Sequence, residues 1–151
     1  MTLSRRVKAG VFTLFGVICG SSAVATMPSV PFGDMARNAT CIALAKPLGP
    51  GAENEYRFRP LAIVATTQCP SGTITVRRNT SESLKEFSSV PYLLFLRAAE
   101  GDVFRYADEP FSALSVSEGK VSMFAFIELP KSMALDQVLE VIQRERSARP
   151  Q

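Results

Sequence analysis

Apolar and polar positions sort this chain into short two-residue periods followed by one helical period. Residues 90–106 carry the clearest pattern. Tyr92-Leu93-Leu94-Phe95-Leu96 reads as a buried strand, Glu100-Gly101-Asp102 as a turn, and Val103-Phe104-Arg105-Tyr106 as a returning strand. Such a hairpin is the expected spine of a small β domain. Ahead of it, residues 40–46 form a first strand candidate, which the prolines and glycines of residues 47–51 are expected to end. In residues 55–68, Tyr56, Phe58 and Leu61 alternate with Arg57 and Arg59, and Pro60 predicts a bulge or an edge. Residues 69–72 read as a turn. Residues 72–78, with Ile74 and Val76 apolar, read as the antiparallel partner of the strand before.

Residues 79–89 change character and suit a short helical turn or a polar loop. Residues 110–116 and 120–129 are further strand candidates, joined by a tight turn at Glu118-Gly119, and Val121, Met123 and Ala125 alternate in the second. Leu135, Val138, Leu139 and Ile142 then fall three and four apart, which predicts a helix over residues 133–146 with Ser132 as its cap. Asp136 near its start and Arg144 and Arg146 near its end suit the helix dipole. The whole reads as one mainly β domain over residues 40–147, a curved sheet or barrel of about six strands closed by a single C-terminal helix. Residues 26–39, with Pro28, Pro31 and Gly33, read as an extended lead-in.

The first 25 residues change the picture of where the chain works. Arg5, Arg6 and Lys8 precede an apolar run at residues 9–19, and Ala23-Val24-Ala25 supplies a small-x-small cleavage pattern. The run falls short of the ~18–20 residues that cross a bilayer. A cleaved signal peptide is expected, leaving no stable membrane anchor and a periplasmic or secreted protein. Ile18 before Cys19 does not suit a lipobox.

Charge and cysteine content follow from that cleavage. The full chain has 17 Lys and Arg against 14 Asp and Glu, and the signal segment holds three of the basic residues, so the mature chain is formally neutral. Neutrality removes the general case for a nucleic acid partner. Two cysteines remain, Cys41 and Cys69, and an oxidising compartment pairs them into one disulfide.

Residues 92–96 (Tyr-Leu-Leu-Phe-Leu) and 115–121 (Ser-Val-Ser-Glu-Gly-Lys-Val) give the chain a resemblance to small exported bacterial domains of OB-like fold, similar to the netrin module and the tissue inhibitors of metalloproteinases. It covers roughly residues 40–143 by order of elements. The resemblance implies an OB-like barrel. It does not bring the inhibitors' zinc-binding N-terminal cysteine, because Thr26 is the expected first residue here, and Val90-Pro91 stands where that group often has glycine.

Candidate chemistry is sparse. No histidine occurs, which removes the commonest general base and most zinc sites, so no metal or other cofactor is expected. Glu100, Asp102 and Asp108 are the carboxylates an enzyme would draw on, yet acids at turns ordinarily serve solvation and local hydrogen bonds. The basic residues say more. Arg57 and Arg59 share one strand face, and Arg77-Arg78 end the neighbouring strand, so pairing would gather a patch for carboxylates or phosphates. Tyr106 and Phe111 are candidate contact aromatics. The expectation is a non-catalytic binding or inhibitor module with a protein partner in the cell envelope. The alternatives are a carboxylate-dependent envelope enzyme, or an accessory subunit exposing an apolar strip over residues 106–114.

Overall fold

The computed structural model describes residues 31–78, 87–108 and 112–148. Its elements run α1 (Phe32–Asn38), β1 (Cys41–Pro50), β2 (Glu55–Thr66), β3 (Ile74–Arg77), β4 (Tyr92–Ala98), β5 (Val103–Tyr106), β6 (Ala113–Ser117), β7 (Lys120–Ser122), β8 (Ser132–Ala134) and α2 (Leu135–Ser147). The protein is mainly β, a small domain built on one eight-stranded, partly ring-closed sheet with a C-terminal helix. The sheet order is β1-β2-β3-β5-β4-β6-β7-β8, and β4 also pairs with β1. That extra pairing, Cys41↔Leu96 to Ala45↔Tyr92, curls the first five strands into a ring, and β6, β7 and β8 run off it as a flap. All neighbours are antiparallel except β3 and β5.

The expected spine is present. β4 and β5 form the hairpin, and Gly101 turns it with φ 64°, a conformation that glycine adopts without strain. Leu93, Leu94, Phe95 and Leu96 are all fully buried because both faces of β4 are covered. The even-numbered pair points into the ring with Ala43, Phe58, Ile74 and Val76. The odd-numbered pair joins Ile42 in a second core under α1, α2 and the flap, with Phe32, Met35, Val138 and Ile142. Phe32 meets Phe95 and Phe126 edge-on, at 5.6 and 5.1 Å between ring centres.

Several expectations are corrected. Residues 32–38 form a helix where an extended lead-in was expected. Phe32, Met35 and Ala36 are spaced three and four apart, and burial of that face holds the helix. Pro47 and Gly49 do not end β1. β4 leaves β1 after Ala45, so Pro47 and Pro50 stand where the strand has a single neighbour, and a bulge at Leu48 absorbs the irregularity. Pro60 behaves as expected, beside a bulge at Leu61. The strand expected over residues 120–129 stops at Ser122, because burial of Met123 and Phe126 turns the chain aside. Ser132 does not cap α2. It lies in β8, and the helix begins at Leu135, whose N–H donates to the Gly119 carbonyl at 2.9 Å. The suggested helical turn over residues 79–89 lies mostly outside the described residues.

Two further links fix the frame. Cys41 and Cys69 are joined as a disulfide, which ties the β2–β3 connection to the start of β1. The Arg146 guanidinium donates to the Ala36 and Ala39 carbonyls, both at 2.8 Å, and so closes the C-terminal end of α1. Among the described residues, no helix is long and apolar enough to cross a membrane.

Candidate binding face

Strand register decides which charged side chains meet. On β3 and β5, Val76 and Phe104 face each other inside the ring, so their neighbours Arg77 and Arg105 face each other outside it. Arg105 is also paired with Arg97 of β4, and Arg77 with Glu55 of β2. Four adjacent strands therefore present one lateral row, Arg97–Arg105–Arg77–Glu55. Strand spacing sets neighbouring members about 5 Å apart at the backbone. Two residues further along β2, Arg57 lies opposite Thr75, and beyond it Arg59 lies opposite Lys46.

Only one end of the row is neutralised. Arg77 turns Nη2 and Nε onto Oε1 of Glu55, at 2.7 and 3.2 Å. Arg97 and Arg105 have no carboxylate partner among the described residues, and both are exposed. Like charges directly opposite each other weaken a sheet by roughly 0.2–1 kcal/mol per pair. The row thus has a stability cost that an external anion would relieve, and each free guanidinium can grip a carboxylate or phosphate with two parallel hydrogen bonds.

The sequence-based candidates divide. Arg57, Arg59 and Arg77 all lie exposed on the outer face; Arg57 reaches the Pro50 carbonyl at 3.4 Å. Arg78 does not join them. It is half-buried over the Phe87 ring at 5.8 Å, beside a cluster of Tyr56, Phe58, Phe87 and Tyr92. Tyr106 is half-buried against the barrel core, which removes it as an exposed contact aromatic. Phe111 lies outside the described residues.

Sequence reasoning missed Arg97, Arg105 and Lys46. Arg105 was visible as the polar position between Phe104 and Tyr106, but its neighbours follow only from the β3–β5 and β4–β5 registers. Among the described residues, the exposed large apolar ones are Leu48, Leu61, Ile63, Phe124 and Ile127; of the segment singled out for an apolar strip, residues 109–111 lie outside the described residues, and none of its described residues is among them. Glu100 and Asp102 stand exposed on the β4–β5 turn, and the Asp108 N–H donates to Ser112 Oγ at 2.6 Å. No group of three or more His, Cys, Asp or Glu among the described residues is arranged to hold a metal ion. Compared with protein-family models, with curated proteins and with solved structures, the chain finds no match.

Proposed function

We propose that this protein is a non-catalytic binding module of the cell envelope, exported to the periplasm or beyond, whose outer barrel face engages an acidic surface on a partner protein. The observation that carries this reading is the Arg97–Arg105–Arg77 row, three in-register guanidiniums with a single carboxylate at one end. The disulfide suits an oxidising compartment outside the cytoplasm. The carboxylate-enzyme alternative gains no support from Glu100 and Asp102, which project from a turn into solvent.

The test compares wild type with Arg97→Glu/Arg105→Glu in cross-linked capture from native envelopes, followed by affinity measurement on the purified pair. A partner held by wild type should be lost from the double variant, and its affinity should fall as salt is raised. Equal capture by both proteins would remove the arginine row as the binding face. A hydrolytic or transfer activity abolished by replacing Glu100, Asp102 or Asp108 would replace the reading altogether.

A further inference from the structure

Two members of the arginine row differ from the third, and the difference narrows what the face can hold. The Ala99 N–H donates to the Val103 carbonyl at 3.0 Å, and the Ala107 N–H donates to the Phe95 carbonyl at 2.9 Å. Arg97 and Arg105 stand opposite each other midway between those two pairs. Antiparallel alternation therefore makes them a hydrogen-bonded pair, with Cα atoms about 5.5 Å apart and side chains leaving the same face. Arg77 is the next neighbour, but its guanidinium is already held by Glu55. Two exposed, opposed guanidiniums are left, with two charges over a span that a single small anion covers.

Oxygen count separates the candidate anions. One guanidinium fork occupies both oxygens of a carboxylate, so a lone carboxylate serves one arginine and leaves the other unmatched. A phosphodiester has two free oxygens and one charge, and meets the same limit. A phosphomonoester offers three free oxygens and a charge of about −1.5 to −2 at pH 7, so two forks close on it by sharing one oxygen. The surroundings also bear on what carries it. Glu100 and Asp102 project from the β4–β5 turn, three residues beyond each arginine and about 10 Å away at strand rise. That falls within the screening length at 0.1 M salt, so a flat anionic bilayer would be repelled by those carboxylates as it approached the arginines. A single phosphate projecting from a flexible carrier avoids them. Beside the pair on the same face, Ala99 and Val103 are half-buried and uncharged, a neutral shelf for the carrier's first atoms.

We infer that Arg97 and Arg105 form a clamp for one phosphomonoester, presented by a side chain of the partner protein. This rests on the reading of the outer face as a surface for an acidic partner, and it names the group that the face takes.

The probe is the phosphopeptide acetyl-Ala-phosphoserine-Ala-N-methylamide, titrated into isotopically labelled disulfide-bonded protein and followed by amide and arginine side-chain N–H shifts. Saturable shifts centred on Arg97 and Arg105 are expected. Affinity should be about tenfold above that for glutarate, which matches the charge with two separate carboxylates. Arg97→Gln and Arg105→Gln, both at exposed positions, should each weaken the phosphopeptide about tenfold. Lys120→Gln removes the same charge from the flap and should leave the affinity unchanged. Glutarate bound as tightly as the phosphopeptide would overturn the phosphate clamp and leave the acidic-partner reading standing. An equal loss in Lys120→Gln would reduce the effect to net charge and overturn the clamp as well. Tighter binding of glycerol 3-phosphate, or of phosphatidylcholine vesicles carrying phosphatidic acid, would overturn the protein carrier. No saturable shift at Arg97 or Arg105 would overturn the clamp, and envelope capture with Arg97→Glu/Arg105→Glu then decides separately whether the acidic-partner reading stands.

Discussion

The outer surface of the barrel divides into a covered side and a bare side, and the same strands pass from one to the other. Along β4 the outward positions read Leu93, Phe95, Arg97; along β1 they read Ile42, Leu44, Lys46. In both strands the first residues lie beneath α1, α2 and the flap, and the change to a cation comes where that cover ends. The inward positions of β4, Leu94 and Leu96, stay apolar because the ring interior has no such boundary. The outer stripe of each strand therefore records how far the second layer extends. What lies past that limit is free to carry binding chemistry, and there the arginines gather.

The comparison is broken most severely by emptying the covered side. Phe95→Ala would leave a cavity shared by Phe32, β4 and the helices, and a loss of about 3–5 kcal/mol is expected in equilibrium denaturation. A loss of under 1 kcal/mol would mean that the helical layer contributes little to holding the barrel. Next comes the staple. Cys41→Ser/Cys69→Ser frees a loop spanning 28 residues of sequence separation, and about 3–4 kcal/mol should disappear on the chain-entropy account. The same denaturation measurement reads it, with the reduced wild type as a control.

A smaller effect tests the tie between the two helices. Arg146 is the charged donor to two carbonyls at the end of α1, and Arg146→Ala should cost about 1.5–3 kcal/mol. Faster amide exchange should appear first in residues 32–38, since local opening of α1 needs the least energy once its C-terminal end is released. Uniform acceleration across the barrel would show instead that α1 and the ring open as one unit.

Much of this architecture was legible in the sequence, and the misses share a physical cause. The β4–β5 hairpin, the β2–β3 pairing and the apolar face of α2 were carried by local period and turn residues, which need no partner to be recognised. The short β7, the helix α1 and the unassisted start of α2 depend on distant groups. Burial of Met123 and Phe126 diverts one, Phe95 and the α2 face hold another, and the Gly119 carbonyl satisfies the third. The binding face shows the same divide. Arg57, Arg59 and Arg77 stood out from alternation, whereas Arg97 and Arg105 became part of a row only when parallel pairing of β3 with β5 set them beside Arg77.

The smallest expected effect is also the one that separates the two sides by sign. Arg105 is flanked in register by Arg97 and Arg77, so it meets like charge on both strands beside it. Arg105→Gln keeps a polar side chain of similar reach and removes both repulsions. Stability should rise by about 0.2–1 kcal/mol at low salt, the opposite direction from every substitution on the covered side. The gain should shrink as ionic strength rises, because exposed charges are screened over about 10 Å at 0.1 M salt. The same substitution should weaken binding of an acidic partner. A variant less stable than wild type at low salt would mean that the Arg105 stem contributes more through packing across the strand than its charge costs, and the row would then be a structural feature of the sheet.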